Sequence, residues 1–280
     1  MKGYKYIAES LKKYGVTSIF YMESILENVT LELKKDGVKA ILAHSENAAG
    51  YMADGYARSS GKPGVCMAQS VGAANLAGGI YDAALANSPV IAITGKKPGL
   101  LQYTGAYQEA EHRLLFEGIT KFNADVIDTN QIPYLMRRIF KDAVAGKPGP
   151  VHLDVPNNCG VTVEFAEINS DVIVEEAYKT YPAYRPSADT ESIRKACDVI
   201  SKAKKPLFIV GRGAIISGAG EELYKLAQKA DIPVVTTPDG KTIIDETDSL
   251  WTGVIGGYGM SCANYIASKT DLAIFVGTQA

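Results

Sequence analysis

Glu46 is the residue of this chain best placed to do acid–base chemistry. It lies in Ala43–Arg58, A-H-S-E-N-A-A-G-Y-M-A-D-G-Y-A-R. An apolar run, Val38–Leu42, precedes it and a small-residue helical pattern, Asn47–Ala57, follows. The spacing predicts a strand handing over to a helix, with Glu46 at the junction. Such junctions form the carboxyl edge of a parallel sheet, where open α/β folds bind ligands. Ala48, Ala49, Ala53, Gly55 and Ala57 let that helix pack closely on another backbone. A carboxyl buried at a tight interface is suited to proton exchange near neutral pH. A plainer reading stands beside this one: acidic side chains favour the first turn of a helix, where they meet the positive end of its dipole.

A second candidate stretch, Gln69–Asn75 (Q-S-V-G-A-A-N), also follows a predicted strand and opens a helix. Its small residues let a ring system approach the backbone. An incidental glycine at a helix start is the alternative. Gly211-Arg212-Gly213 follows a third strand directly. A glycine pair there reads as an ordinary βα turn, because the full dinucleotide spacing is missing. An NAD-dependent oxidoreductase is discounted for that reason.

The elements that must position these residues alternate. Helices are predicted over Tyr4–Tyr14, Ser24–Lys35, Asn47–Ser59, Ala73–Ala86 and Gln131–Ala145. Strands are predicted over Ser18–Met22, Val38–Leu42, Gly64–Ala68, Pro89–Thr94 and Val151–Val155. The strands are continuous apolar runs, the pattern of a parallel sheet covered on both faces. A long irregular stretch is expected from Gly95 to about Phe122, and such loops are commonly functional. Residues 161–188, acidic and containing Pro182 and Pro186, read as a surface linker. The alternation then restarts with Ser192–Ala203, Pro206–Val210, Glu221–Ala230, Pro233–Thr236 and Leu272–Val276. The expected fold is α/β, with two doubly wound parallel-sheet domains over 1–160 and 189–280. The second is expected to be incomplete, because the chain stops just after an apolar strand.

Composition sets the outer bounds. The chain has 280 residues, 46% hydrophobic and 21% charged, with formal net charge −2. That gives no electrostatic footprint for nucleic acid. No apolar stretch reaches the ~20 residues of a membrane helix, so no membrane partner is expected. Met1–Lys5 leads into an amphipathic helix rather than a signal-peptide core. Cys66, Cys159, Cys197 and Cys262 are scattered, with three histidines in the whole chain, which argues against a metal cluster or a disulfide framework. The cytoplasm is the expected compartment.

Residues 43–58 resemble the pyrimidine-binding domain of thiamine-diphosphate-dependent enzymes of the acetolactate synthase, pyruvate oxidase and benzoylformate decarboxylase family. The shared ending is Ala53-Asp54-Gly55-Tyr56-Ala57-Arg58. The likeness continues through Gly64–Gly95, Gly105–Glu109 and Gly149–Pro156 in the family's order. The second region resembles the family's middle domain through Pro206–Gly213, Ile232–Thr237, Gly240-Lys241, Gly253–Gly256 and Asp271–Thr278.

This resemblance implies a decarboxylase or carboligase acting on 2-keto acids, nearest to acetolactate synthase. It implies that Glu46 hydrogen-bonds the cofactor's aminopyrimidine. Gly72 and Asn75 match the family's S-G-P-G-x-x-N pattern, while Val71 replaces its proline and Gln69-Ser70 its Ser-Gly. Gly105-Ala106-Tyr107-Gln108-Glu109 resembles A-F-Q-E, which assigns Tyr107 and Gln108 to the substrate. His112, close by, is a candidate second acid/base toward the same substrate, with a surface histidine as the plainer reading. The family's F-G-x-P-G turn is here Phe20-Tyr21-Met22-Glu23-Ser24. Glu23 thus adds a carboxylate where cofactor and substrate meet, which implies a changed substrate. Asp154 reads as a structural strand-end residue.

The resemblance also implies a homodimer or homotetramer with the active site between subunits. Mg²⁺ and the diphosphate would be held by a third domain carrying G-D-G and a downstream Asn, which these 280 residues lack. A fragment, or one half of a split enzyme, is the expectation that follows. The middle domain holds FAD in some family members and nothing in others. A non-catalytic α/β binding or regulatory protein is the reading from a different class.

Overall fold

The computed structural model describes residues 1–22 and 25–278. The chain divides into two compact units, Met1–Tyr184 and Arg185–Ala280.

The first unit runs α1 (Gly3–Lys13), β1 (Ser18–Tyr21), α2 (Glu27–Lys35), β2 (Lys39–Leu42), α3 (Glu46–Ser60) and β3 (Gly64–Gln69). It continues with α4 (Gly72–Leu85), β4 (Val90–Gly95), α5 (His112–Glu117), β5 (Phe122–Asp125), α6 (Ile132–Val144), β6 (Val151–Val155) and α7 (Asn157–Phe165). Its six strands form one sheet in the order β2-β1-β3-β4-β6-β5. Every pairing is parallel. β4 is buried along its whole length, as its uninterrupted apolar run V-I-A-I requires. The strand order reverses at β1. The loops after β1, β2 and β3 therefore open at neighbouring places on the carboxyl edge, the topological switch point of such a sheet.

Gly50 on α3 faces Gly79 on α4, and a Cβ on Gly50 would lie 3.1 Å from the Gly79 Cα. These helices cross backbone to backbone, which is why the sequence between Asn47 and Leu85 is rich in Ala and Gly. Tyr14 stacks flat on Phe140 of α6, with ring centroids 3.9 Å apart, closing the other face of the sheet.

The second unit runs α8 (Thr190–Lys202), β7 (Pro206–Val210), α9 (Arg212–Ser217), α10 (Gly220–Ala230), β8 (Val234–Thr236), β9 (Trp251–Val254), α11 (Ser261–Lys269) and β10 (Leu272–Val276). Its four strands lie in the order β10-β7-β8-β9, again all parallel. After β7, Gly211 and Gly213 donate their backbone N–H groups to the carbonyls of Val276 and Gly277. That glycine pair belongs to a tight turn packed on the end of β10. No helix among the described residues is long and apolar enough to cross a membrane.

Two expectations change. The stretch read as a linker is structured on the first unit as far as Tyr184. Val163, Ile168, Val172, Tyr178 and Tyr181 are all buried there. The Glu164 carboxylate accepts from Asn28 Nδ2 and from the Val29 N–H, both at 2.9 Å. Tyr181 donates its hydroxyl to the Ala57 carbonyl at 2.6 Å. Its polar residues satisfy backbone groups of the first unit, so polarity there did not mean solvent. The long irregular stretch is also shorter than expected, because it contains α5 and leads into β5.

Candidate active site

Glu46 opens α3 behind Ser45, whose side-chain oxygen caps the helix by accepting from the Ala48 N–H at 3.2 Å. The cap fixes the direction in which α3 leaves β2 and so where the Glu46 carboxylate points. It points across to the start of α4. Asn75 Nδ2 donates to Glu46 Oε2 at 3.1 Å. A Cβ built on Gly72 would lie 2.5 Å from Glu46 Oε1, so a larger residue there would push the carboxylate from its present place. The structure thus brings Glu46, Gly72 and Asn75 together, although 29 residues separate Glu46 from Asn75. Oε1 has no hydrogen-bond partner among the described residues and is free to accept a donor from a ligand.

Glu46 is half-buried rather than fully enclosed. Its surroundings explain this. The outer faces of α3 and α4 are open, with Tyr51 46%, Met52 40%, Tyr81 53% and Leu85 69% exposed.

Tyr107 and Gln108 lie apart from that trio in their bonding. Gln108, at φ +59°, donates its Nε2 to the Tyr107 hydroxyl at 3.4 Å, and Tyr107 is 81% exposed. The loop that carries them is tied by Glu109. Its carboxylate accepts backbone N–H groups from Tyr103, from Gly105 at 3.1 Å and from Ala106 at 3.2 Å. Glu23 lies outside the described residues.

His112 is neither a loop residue nor exposed. It is the first residue of α5 and fully buried. Nδ1 lies 3.1 Å from Asp154 Oδ1 and Nε2 lies 2.9 Å from the Ser70 carbonyl. With both ring nitrogens engaged inside the unit, His112 has none to offer a substrate, which corrects that expectation.

Asp154 anchors a buried polar cluster that sequence reading did not foresee. Its Oδ1 also accepts from Thr94 Oγ1 at 2.9 Å, and Lys96 Nζ lies 3.2 Å from its Oδ2. Lys96 reaches Asp125 Oδ2 at 2.7 Å as well. His152 joins through Thr94 Oγ1 at 2.6 Å and Asn123 Oδ1 at 2.8 Å, with its ring stacked on Phe116. Burial alone would raise the Asp154 carboxyl. The hydrogen bond from His112 and the charges of His112 and Lys96 outweigh it and hold Asp154 below the usual carboxylate range. Burial would lower Lys96, yet its bond to Asp125 and the charge of Asp154 keep it above the ordinary lysine value. Burial pushes His152 down to about 3. The sequence did carry a signal: Thr94, His152 and Asp154 interrupt otherwise apolar strands, and 152 and 154 share one face of β6.

This geometry defines a class. A carboxylate at a helix start, with one oxygen fixed and the other free above a glycine, sits at the switch point of a doubly wound sheet. The family model for the thiamine pyrophosphate enzyme N-terminal TPP-binding domain matches residues 1–114, and that for the thiamine pyrophosphate enzyme central domain matches residues 193–280. The chain belongs to the thiamine pyrophosphate enzyme family.

Among individual relatives it is most usefully set beside acetolactate synthases. It is 38% identical to the probable acetolactate synthase large subunit of Methanocaldococcus jannaschii, over 99% of this chain and 47% of that protein. It is 34% identical to the acetolactate synthase isozyme 1 large subunit of Escherichia coli, over 99% of this chain and 48% of that protein. The chloroplastic acetolactate synthase of Arabidopsis thaliana is 32% identical, over 99% of this chain and 41% of that protein. The chain spans about half the length of the curated relatives it matches.

The residues present fit the family's cofactor, thiamine diphosphate (the same compound as thiamine pyrophosphate). The unpartnered Oε1 of Glu46 and the side-chain-free surface of Gly72 together make a cradle for a ring nitrogen and its ring.

Proposed function

We propose that the protein works in thiamine-diphosphate-dependent carbon–carbon chemistry on 2-keto acids, in the manner of an acetolactate synthase. The observation that carries this reading is the Glu46–Asn75–Gly72 trio with one carboxylate oxygen free. When bound, the cofactor supplies a carbon nucleophile and an electron sink. This chain supplies orientation and a proton site. Glu46 would hold a hydrogen bond to a ring nitrogen through Oε1, while Asn75 keeps Oε2 from turning away. Gly72 lets the ring lie against the backbone. Tyr107 and Gln108, on a loop braced by Glu109, would reach the keto acid.

The exposed apolar stripe of α3 and α4 supports a homodimer or homotetramer in which a second copy closes over Glu46. Mg²⁺ with the diphosphate, held by the third domain, belongs to the same reading, and the second unit is of the kind that holds FAD in some family members and nothing in others. Cys66, Cys197 and Cys262 are free thiols, which favours a reducing compartment such as the cytoplasm.

The test is turnover by this chain joined by the diphosphate-holding third domain, on the same chain or a partner, supplied with thiamine diphosphate and Mg²⁺ and offered pyruvate and a panel of longer 2-keto acids. Release of CO₂ with formation of a carboligation product is expected from at least one acid. Cofactor binding without turnover of any would overturn the proposal in favour of a binding protein.

A further inference from the structure

The turn that delivers Gly72 is strained. Ser70 adopts φ +45°, a left-handed conformation unusual for a residue other than glycine. Its buried hydroxyl has no hydrogen-bond partner among the described residues. Both features run uphill, and such turns persist where the surroundings hold them. The Ser70 N–H donates to the Gly95 carbonyl at 2.8 Å, and the Ser70 carbonyl accepts from the Ala73 N–H at 3.0 Å. The remaining restraint is His112, whose Nε2 lies 2.9 Å from that same carbonyl.

We infer that His112, oriented by Asp154, is a positioning residue that clamps the β3–α4 turn and thereby holds Gly72 and Asn75 against Glu46. Both ring nitrogens face oxygen atoms, Nδ1 the Asp154 carboxylate and Nε2 the Ser70 carbonyl, so the ring is held between the cluster and the turn. Asp154 is itself fixed from two further strands, by Thr94 Oγ1 of β4 and by Lys96 just beyond β4, which is tied in turn to Asp125 of β5. His152 of β6 completes the titratable groups around it. The chain of contacts runs from three strands, through one imidazole, to a single carbonyl. Two residues beyond that carbonyl stands the glycine that admits the carboxylate. His112 therefore acts at a distance, without touching cofactor or substrate. The role in cofactor binding rests on the function proposed above; the clamp itself does not.

Two readouts separate these. Hydrogen exchange over residues 70–75 reports the turn with no cofactor present. In His112→Gln this exchange should accelerate. In the double variant His112→Gln/Ser70→Gly it should return toward the wild-type rate, because glycine adopts the left-handed conformation without strain. The Kd for thiamine diphosphate should rise about tenfold in His112→Gln, the effect of roughly one lost hydrogen bond, and recover in the double variant. Unchanged exchange in His112→Gln, or failure of Ser70→Gly to restore it, overturns the clamp. Normal exchange behaviour in a protein that binds no thiamine diphosphate even with the diphosphate-holding third domain supplied keeps the clamp and removes the proposed function. Should His112→Gln not fold, Asp154→Asn makes the test from the other side of the imidazole, with the Lys96 contact changed as well. It keeps the shape and weakens the hold on Nδ1, and equal exchange in that variant would contradict the inference.

Discussion

At the scale of single residues, exposure separates the polar groups that can meet a ligand from those that hold the fold. Glu46 and Asn75 reach ligand-accessible space, whereas His112, His152 and Asp154 are fully buried. Burial has a measurable consequence at His152, whose imidazole is held neutral down to about 3 in the folded state, against an ordinary histidine value of about 6.5 when unfolded. Between those values the unfolded chain binds a proton that the folded chain refuses. Stability from this group is complete above the unfolded value and is lost as pH falls. The difference in unfolding free energy between wild type and His152→Gln should be flat above pH ~7 and shrink by about 1.4 kcal/mol per pH unit between ~6 and ~4. Urea titrations at several pH values check this, and parallel curves for the two proteins would contradict it. Sequence reading singled out Glu46 where a strand meets a helix, and Gly72 and Asn75 through the family pattern they match; the structure places the three side by side. It could not foresee that His112 turns inward. A histidine one residue from Arg113 in a polar stretch carries no local mark of burial, and its partners lie 42 residues away.

At the scale of elements, α3 and α4 were legible almost to the residue. Their preceding apolar strands and their small side chains agree with the same fold. Less was legible where a short element takes its form from neighbours. β5, F-N-A-D, contains no apolar run and exists because it pairs with β6 at the sheet edge. α7 follows Pro156 and reads locally as a chain exit, yet Val163 and Glu164 anchor it to the first unit. On α4 the exposed positions Ala74, Gly78, Tyr81 and Leu85 fall one below another at helical spacing. Exposed apolar stripes of this kind mark interaction surfaces. If a second copy covers this one, Tyr81→Asp combined with Leu85→Asp should shift the protein to monomers in sedimentation. Far-ultraviolet circular dichroism should not change. An oligomer that survives both substitutions would place the interface elsewhere.

At the scale of the whole molecule, the two units answer to two domains of one enzyme family, and each was readable as α/β from strand–helix alternation alone. What the sequence left open was which residues converge, since convergence depends on strand order. Reversal at β1 puts the ends of β2 and β3 on either side of one crevice, and that is how Glu46 meets Gly72. In the proposed function the free oxygen of Glu46 serves the cofactor's pyrimidine nitrogen. The most direct measurement is the exchange rate of the C2 hydrogen of bound thiamine diphosphate with deuterated water, in wild type and in Glu46→Gln. Exchange should slow about 100-fold or more in the variant, within the range of general acid–base contributions, while the cofactor remains bound. Equal exchange rates in the two loaded proteins would contradict it.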